Sequence, residues 1–226
     1  MTTAGPGCLV VFEGGEGAGK STQLRRVAAH LAARGIPHAT FREPGGTPAG
    51  DRIRDLLLHA DVDLVPEAEA ALFAASRAQL VRTALRPALA RGEVVLLDRF
   101  LLSTYAYQVG GRGLPEAPVR ETNRLATGGL VPDLTLLFTL DAATGLARAG
   151  ARGGADRIER AAVDFHARVA MAFGAFAEPA WQASHPECGP IVAVAADGTE
   201  MEVERRVLAA LAEHLPRFGG AAGWAA

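Results

Sequence analysis

Short apolar runs alternate along this chain with longer stretches whose apolar residues recur at helical spacing. The runs at 8–13, 38–42, 93–98, 132–141 and 190–195 have the form of buried strands, and 134–140 is nearly all apolar. Between the first two, Leu24, Val27, Ala28 and Leu31 share one face of a helix predicted over about 19–33 and stopped by Gly35. A second helix is expected near 51–59. A long helical stretch follows from 66 to about 91, with Ala71, Leu72, Ala75, Leu80 and Leu85 as its core stripe and a kink at Pro87. Another helix begins at Ser103 and runs, with a break around 110–115, to Ala126. Strands that are apolar on both faces and separated by helices predict an α/β architecture, a parallel sheet covered on both sides with ligands at the carboxyl ends of its strands.

The first strand breaks into Gly14-Gly15-Glu16-Gly17-Ala18-Gly19-Lys20-Ser21-Thr22, which fits G-x-x-x-x-G-K-[ST]. Glycines let consecutive backbone N–H groups turn inward on an anion, and the helix that follows adds the positive end of its dipole. Lys20 then reaches the β- and γ-phosphates of a nucleotide, and Ser21 offers its hydroxyl to Mg²⁺. The alternative, a glycine-rich turn with no ligand, does not account for the strand before the pattern and the helix after it.

Composition narrows the partners. A net charge of -2 over 226 residues leaves no broad basic surface for nucleic acid, so the arginines must act locally. Two cysteines, Cys8 and Cys188, form neither a disulfide framework nor a zinc spacing and read as reduced thiols of a cytoplasmic protein. The start of the chain has no export signal, and no window reaches the roughly eighteen apolar residues of a membrane span. The small, glycine-rich stretch 218–226 is expected to fray.

Further candidates fall at strand ends and in one loop. Val94-Val95-Leu96-Leu97-Asp98 delivers a carboxylate at the end of a buried strand, where a phosphate-loop fold places its second Mg²⁺ contact; an Asp merely opening the next turn is the alternative. Arg42 and Arg99 end separate strands on the ligand side and can neutralise a second phosphate. Phe73 and Arg77 lie one helical turn apart, a ring for a flat base and a donor for its carbonyl; alone, without the other motifs, they read better as a core phenylalanine and a solvated arginine. Gln108 can donate and accept at a base edge. The segment 148–160 mixes glycines with Arg148, Arg152 and Arg157, suiting a mobile lid with a phosphate clamp, or else an exposed basic loop before a helix capped by Asp156.

Taken together and in this order, the cradle with Glu16 in it, Arg42-Glu43-Pro44-Gly45-Gly46-Thr47, Phe73 with Arg77, Asp98-Arg99-Phe100, Ser103 through Gln108, and Asp156-Arg157-Ile158-Glu159 resemble the thymidylate kinases, over about 8–215. The resemblance implies a P-loop kinase fold, a five-stranded parallel sheet with a short lid in one domain spanning 1–226. It implies transfer of the γ-phosphoryl of ATP to dTMP with Mg²⁺, and a homodimer. By the same resemblance Lys20, Arg99 and Arg152 are catalytic; residues 14–22 with Arg148 and Arg152 bind ATP; Ser21 and Asp98 hold the metal. Glu16, Arg42, Phe73, Arg77, Arg99, Ser103, Tyr107 and Gln108 then bind dTMP, Glu16 at the 3′-hydroxyl and Tyr107 where a ribose would carry its 2′-hydroxyl. Pro44 resembles the family's cis-proline.

One departure is informative. Some members carry an arginine in the cradle where this chain has Gly17, and others bring the catalytic arginine in the lid; Gly17 with Arg148, Arg152 and Arg157 resembles the second, bacterial-like group. Two other readings stand beside this one: a P-loop kinase for a different nucleoside monophosphate or a deoxynucleoside, and a GTP-binding switch. The switch needs an N-K-x-D base reader, and the chain's one asparagine, Asn123, is followed by Arg124 and Leu125.

Overall fold

The computed structural model describes residues 7–59, 62–150, 157–158 and 161–215. Five parallel strands, β1 (Cys8–Gly14), β2 (His38–Arg42), β3 (Val94–Asp98), β4 (Leu134–Thr139) and β5 (Ile191–Ala195), form one sheet in the order β2-β3-β1-β4-β5. The chain leaves β1 toward β3 and β2 on one side and reaches β4 and β5 on the other, so the switch point falls at the carboxyl end of β1. Register aligns the strand ends there, Phe12 beside Asp98 and Asp98 beside Arg42.

Both faces of β1 are buried, as its unbroken apolar run requires. Cys8, Val10 and Phe12 pack with α1 (Lys20–Ala33) and α10 (Glu200–His214). Leu9 and Val11 face the opposite layer, built from α2 (Pro48–Leu58), α3 (Pro66–Leu80), α4 (Arg86–Ala90), α5 (Leu101–Thr104) and α8 (Val163–Ala175). The remaining helices are α6 (Glu116–Thr127), α7 (Ala142–Gly150) and the short α9 (Pro179–Ser184). The two cysteines are free and buried. No helix among the described residues is long and apolar enough to cross a membrane.

Three expectations change. The stripe expected on α3 is displaced: Ala71 and Ala75 are exposed, and the inward face carries Glu69, Ala74, Ser76, Arg77 and Leu80, because the helix covers a polar site as well as the core. Its irregularity is a π-helical turn, Val81–Leu85, one turn before Pro87, which sits harmlessly in the first turn of α4. The helix expected from Ser103 begins at Leu101 and passes into a second π-helical turn, Tyr105–Gly111, which turns both Tyr107 and Gln108 inward. Helices α7, α9 and α10 have no counterpart in the sequence reading, although α10 opens on a capping box between Thr199 and Glu202; the helix that one alternative capped at Asp156 corresponds to α8, which begins at Val163 after Ala162. The expectations for Arg152, Asp156 and the stretch 218–226 lie outside the described residues.

Candidate active site

Helix α1 starts after Gly19 with no side-chain cap and no acidic residue in its first turn, so the positive end of its dipole is directed at the loop between β1 and α1. Lys20 folds back to donate to the carbonyl of Gly15 at 2.7 Å. Burial lowers its pKa to about 8, and the nearby Arg99 charge adds to that; Glu16, Asp98 and Glu13 pull the other way. Ser21 Oγ donates to Asp98 Oδ2 at 2.5 Å, which brings together two hard oxygen ligands from the first turn of α1 and the end of β3. Such a pair suits Mg²⁺, which takes few protein ligands and completes its shell with waters and phosphate oxygens.

Beside this lies a turn built around a buried carboxylate. After Asp98 the chain adopts φ 69 at Arg99, the one positive φ of a non-glycine among the described residues, a conformation costing about 1–2 kcal/mol. Glu13, fully buried at the end of β1, compensates by accepting from Phe100 N at 2.7 Å, Ser103 N at 3.0 Å and Ser103 Oγ at 2.7 Å. The turn aims Arg99 along the strand ends, where it donates to Glu16 Oε1 at 2.8 Å, to Ser103 Oγ at 3.0 Å and to Gly14 O at 3.2 Å. Burial opposes the Arg99 charge, but the Tyr107 oxygen and the carboxylates of Glu16, Asp98 and Glu13 outweigh it and raise its pKa further. Tyr107 donates to the same Glu16 oxygen at 2.6 Å, and its ring lies 5.3 Å from the Arg99 guanidinium carbon.

The other end of the cleft is organised by Arg77, which is not solvated but only 2% exposed. Its guanidinium donates to Glu43 at 2.8 Å, Thr104 at 3.0 Å, Asn123 at 2.6 Å and the Phe100 carbonyl at 2.9 Å. Glu43 precedes a cis peptide bond to Pro44, and Ser76 on α3 accepts from Gly45 N in the same turn. Burial pushes the Glu43 carboxyl up to about 7 even against the pull of Arg77. Phe73 stands half-buried one turn before Arg77, and Gln108 is held by the buried Glu69. Arg42, largely exposed, lies 3.8 Å from Asp51.

One cleft of about 450 Å³ is lined by Glu16, Gly17, Gly19, Lys20, Ser21, Thr22, Arg42, Phe73, Arg77, Asp98, Arg99, Ser103, Tyr107 and Gln108. Residues as far apart in the chain as Glu16 and Gln108 therefore meet at the strand ends. Gly15 and Ala18 face a neighbouring smaller cavity, and Gly14 lies within β1. Arg148 is not among the residues lining either space; it sits on α7 and donates to the carbonyl of Ala196 beyond β5 at 3.2 Å. Arg157 donates to Glu69 at 2.6 Å and to the Leu57 carbonyl at 2.7 Å. Glu13, Glu43, Glu69, Thr104, Arg112 and Asn123 were not predicted. The carboxylates carried a usable signal: Glu13 closes an apolar strand, and Glu69 precedes Phe73 and Arg77 by one and two turns on the same helix face.

A parallel sheet whose switch point carries a phosphate loop, with a metal-suited Ser–Asp pair and a second, arginine-lined lobe, defines a P-loop nucleotide kinase. A sequence model of the thymidylate kinase family matches residues 12–184. A thymidylate kinase from Deinococcus radiodurans is 46% identical, with 92% of this chain and 97% of that protein covered. One from Thermosynechococcus vestitus is 43% identical over 94% of this chain and 90% of its own length, and one from Leifsonia xyli 49% identical over 78% and 85%. The chain belongs to the thymidylate kinase family.

Proposed function

We propose that this chain transfers the γ-phosphoryl group of ATP to dTMP, giving dTDP and ADP, with Mg²⁺ as the metal. The observation that carries the reading is the joining, in one cleft, of a phosphate loop bearing Lys20 to a lobe holding Phe73, Arg77 and Gln108. ATP phosphates occupy the loop, where backbone N–H groups, the α1 dipole and Lys20 oppose their charge. Ser21 and Asp98 would hold Mg²⁺, which neutralises charge on the β- and γ-oxygens when bound.

Arg99 and Arg42 draw the acceptor phosphate to the strand ends, and Arg99 stands between the two anions. Glu16 takes the 3′-hydroxyl of the sugar, with Tyr107 and Arg99 fixing its carboxylate. Phe73 offers its ring to the base and Gln108 its amide to the base edge. Arg77 supports this lobe from beneath by tying α3, α5, α6 and the Pro44 turn together; contact with a base carbonyl requires an exchange of one of those partners. Arg152 completes the clamp as charge moves in the transition state, and Arg148 assists at the ATP side from α7. The reading includes one catalytic domain over 1–226 with a lid at about 148–160, a cytoplasmic location, the homodimer usual in the family, and no nucleic-acid partner. Exposed Leu125 on α6, which packs beside α3, supports a helix-mediated dimer.

Initial rates of ATP turnover with dTMP, dUMP, UMP, AMP and GMP test the assignment. Preference for dTMP is expected; a purified enzyme preferring another acceptor refutes it.

A further inference from the structure

Glu69 is fully buried on α3, and its carboxylate accepts hydrogen bonds from three side chains that lie outside that helix. Its Oε1 accepts from Gln108 Nε2 at 3.0 Å and Arg112 Nε at 3.1 Å. Its Oε2 accepts from Arg112 Nη2 at 2.9 Å and Arg157 Nη2 at 2.6 Å. Burial alone pushes the carboxyl pKa up, but the hydrogen bonds from Arg112, Arg157 and Gln108 outweigh burial and hold it below the usual value. Two guanidiniums thus keep Glu69 ionised, and an ionised carboxylate only accepts.

That restriction has a directional consequence. A glutamine amide is nearly symmetric in shape but opposite in polarity at its two ends, and an unrestrained one turns over to suit either a donor or an acceptor. Gln108 is 1% exposed, sits in the π-helical turn and lines the cleft. One N–H of its NH₂ is committed to Glu69, which turns that end of the amide toward α3 and leaves the carbonyl oxygen as the acceptor it can offer the cleft. A pyrimidine with N3–H matches that oxygen, whereas cytosine presents a lone pair at N3 and meets it lone pair to lone pair.

We propose that Glu69 is a positioning residue for specificity: it fixes the polarity of the Gln108 amide and so favours an acceptor base with an N–H at that edge, as in thymine, over cytosine. The inference rests on Gln108 reading the base, as proposed above. It goes further in placing the discrimination in a carboxylate that lies outside the cleft lining.

The test is kcat and KM for dTMP and dCMP, with a thermal melt, for the wild type, Glu69→Gln, Gln108→Met and the double variant. Glu69→Gln can donate as well as accept and so frees the Gln108 amide. The dTMP to dCMP ratio of kcat/KM is expected to fall about tenfold or more, chiefly through KM, since one mismatched buried hydrogen bond is worth that much. Gln108→Met should lower the ratio similarly, and the double variant should lower it no further. If Glu69→Gln depresses both acceptors by the same factor, Glu69 is only a brace and the proposal fails. Should Glu69→Gln not fold, Gln108→Met decides: an undiminished ratio overturns the proposal. A wild type that does not prefer dTMP refutes the acceptor assignment itself, whereas a selective wild type with equally selective variants overturns this inference alone.

Discussion

Gly17 offers the sharpest test of how the phosphate loop is held. It has φ 67, and a Cβ built on it would lie 2.0 Å from the carbonyl oxygen of Gly145, in the first turns of α7. Gly145 is no freer, since its own Cβ would lie 2.5 Å from the carbonyl of Glu16. Loop and helix therefore touch backbone to backbone. Gly17→Ala imposes the left-handed penalty of about 1–2 kcal/mol and forces loop and helix apart by about 1 Å. The first effect should lower Tm by roughly 2–4 °C per kcal/mol for a chain of this length. The second moves the groups that face ATP and can cost about 10²-fold in kcat. An arginine at this position, as some family members carry, would meet the same obstacle. Coupled ATP turnover at saturating substrates, run with a thermal melt, should show a folded enzyme with kcat about a hundredfold lower. Gly145→Ala lacks the positive φ and isolates the clash, so it should fall in kcat with a smaller loss of Tm. A Gly17→Ala enzyme within about twofold of wild type would refute the argument.

Lys20 is the only lysine in the chain, so its side chain can be titrated directly by NMR with labelled lysine. The midpoint is expected near 8 without nucleotide and about one unit or more higher with ATP, because the phosphates favour the charged form; a nucleotide-free midpoint at the ordinary lysine value would contradict the burial argument. Between about 8 and the unfolded lysine value the unfolded chain binds the extra proton, so this group's contribution to stability rises with pH. Arg77→Met leaves Glu43 buried without its counter-charge and should cost about 3–5 kcal/mol at pH 8. With its pKa raised to about 7, Glu43 favours folding when protonated, and that contribution is lost as pH rises through 7; denaturant melts should therefore show a smaller cost at pH 6, and an equal cost at both would count against it. Phe73→Ala should mainly raise KM for dTMP, and an unchanged KM removes the stacking role. Arg152→Ala should lower kcat far more than it weakens dTMP binding, whereas an unchanged kcat moves the clamp to another lid arginine.

Much of the architecture was legible along the chain because it depends on local pattern. The five apolar runs became five parallel strands, and the glycine-lysine-hydroxyl signature became the loop between β1 and α1. Asp98 and Arg42 ended their strands as expected, at matched register. Phe73 and Arg77 were visible as a pair from helical spacing alone. The second half of the chain was less legible although its pattern is no weaker: α7 is short and rich in alanine, and α10 buries Val203, Val207, Leu208 and Leu211 at helical spacing behind the Thr199–Glu202 cap.

What the sequence by itself determined was the inventory of chemistry, meaning which residues can hold phosphate, metal and a flat base, and on which strand or helix each rides. Only the tertiary structure decided how those residues are committed. It turned Arg77 from a solvated donor into a buried hub, set Arg157 against Glu69, carried Arg148 to the end of β5 and pressed Gly17 against Gly145. The physical reason is that periodicity reports the face a side chain occupies. A buried charge, by contrast, must find its partner wherever the fold brings one, and close approach between two glycines is a property of two backbones that neither segment encodes alone.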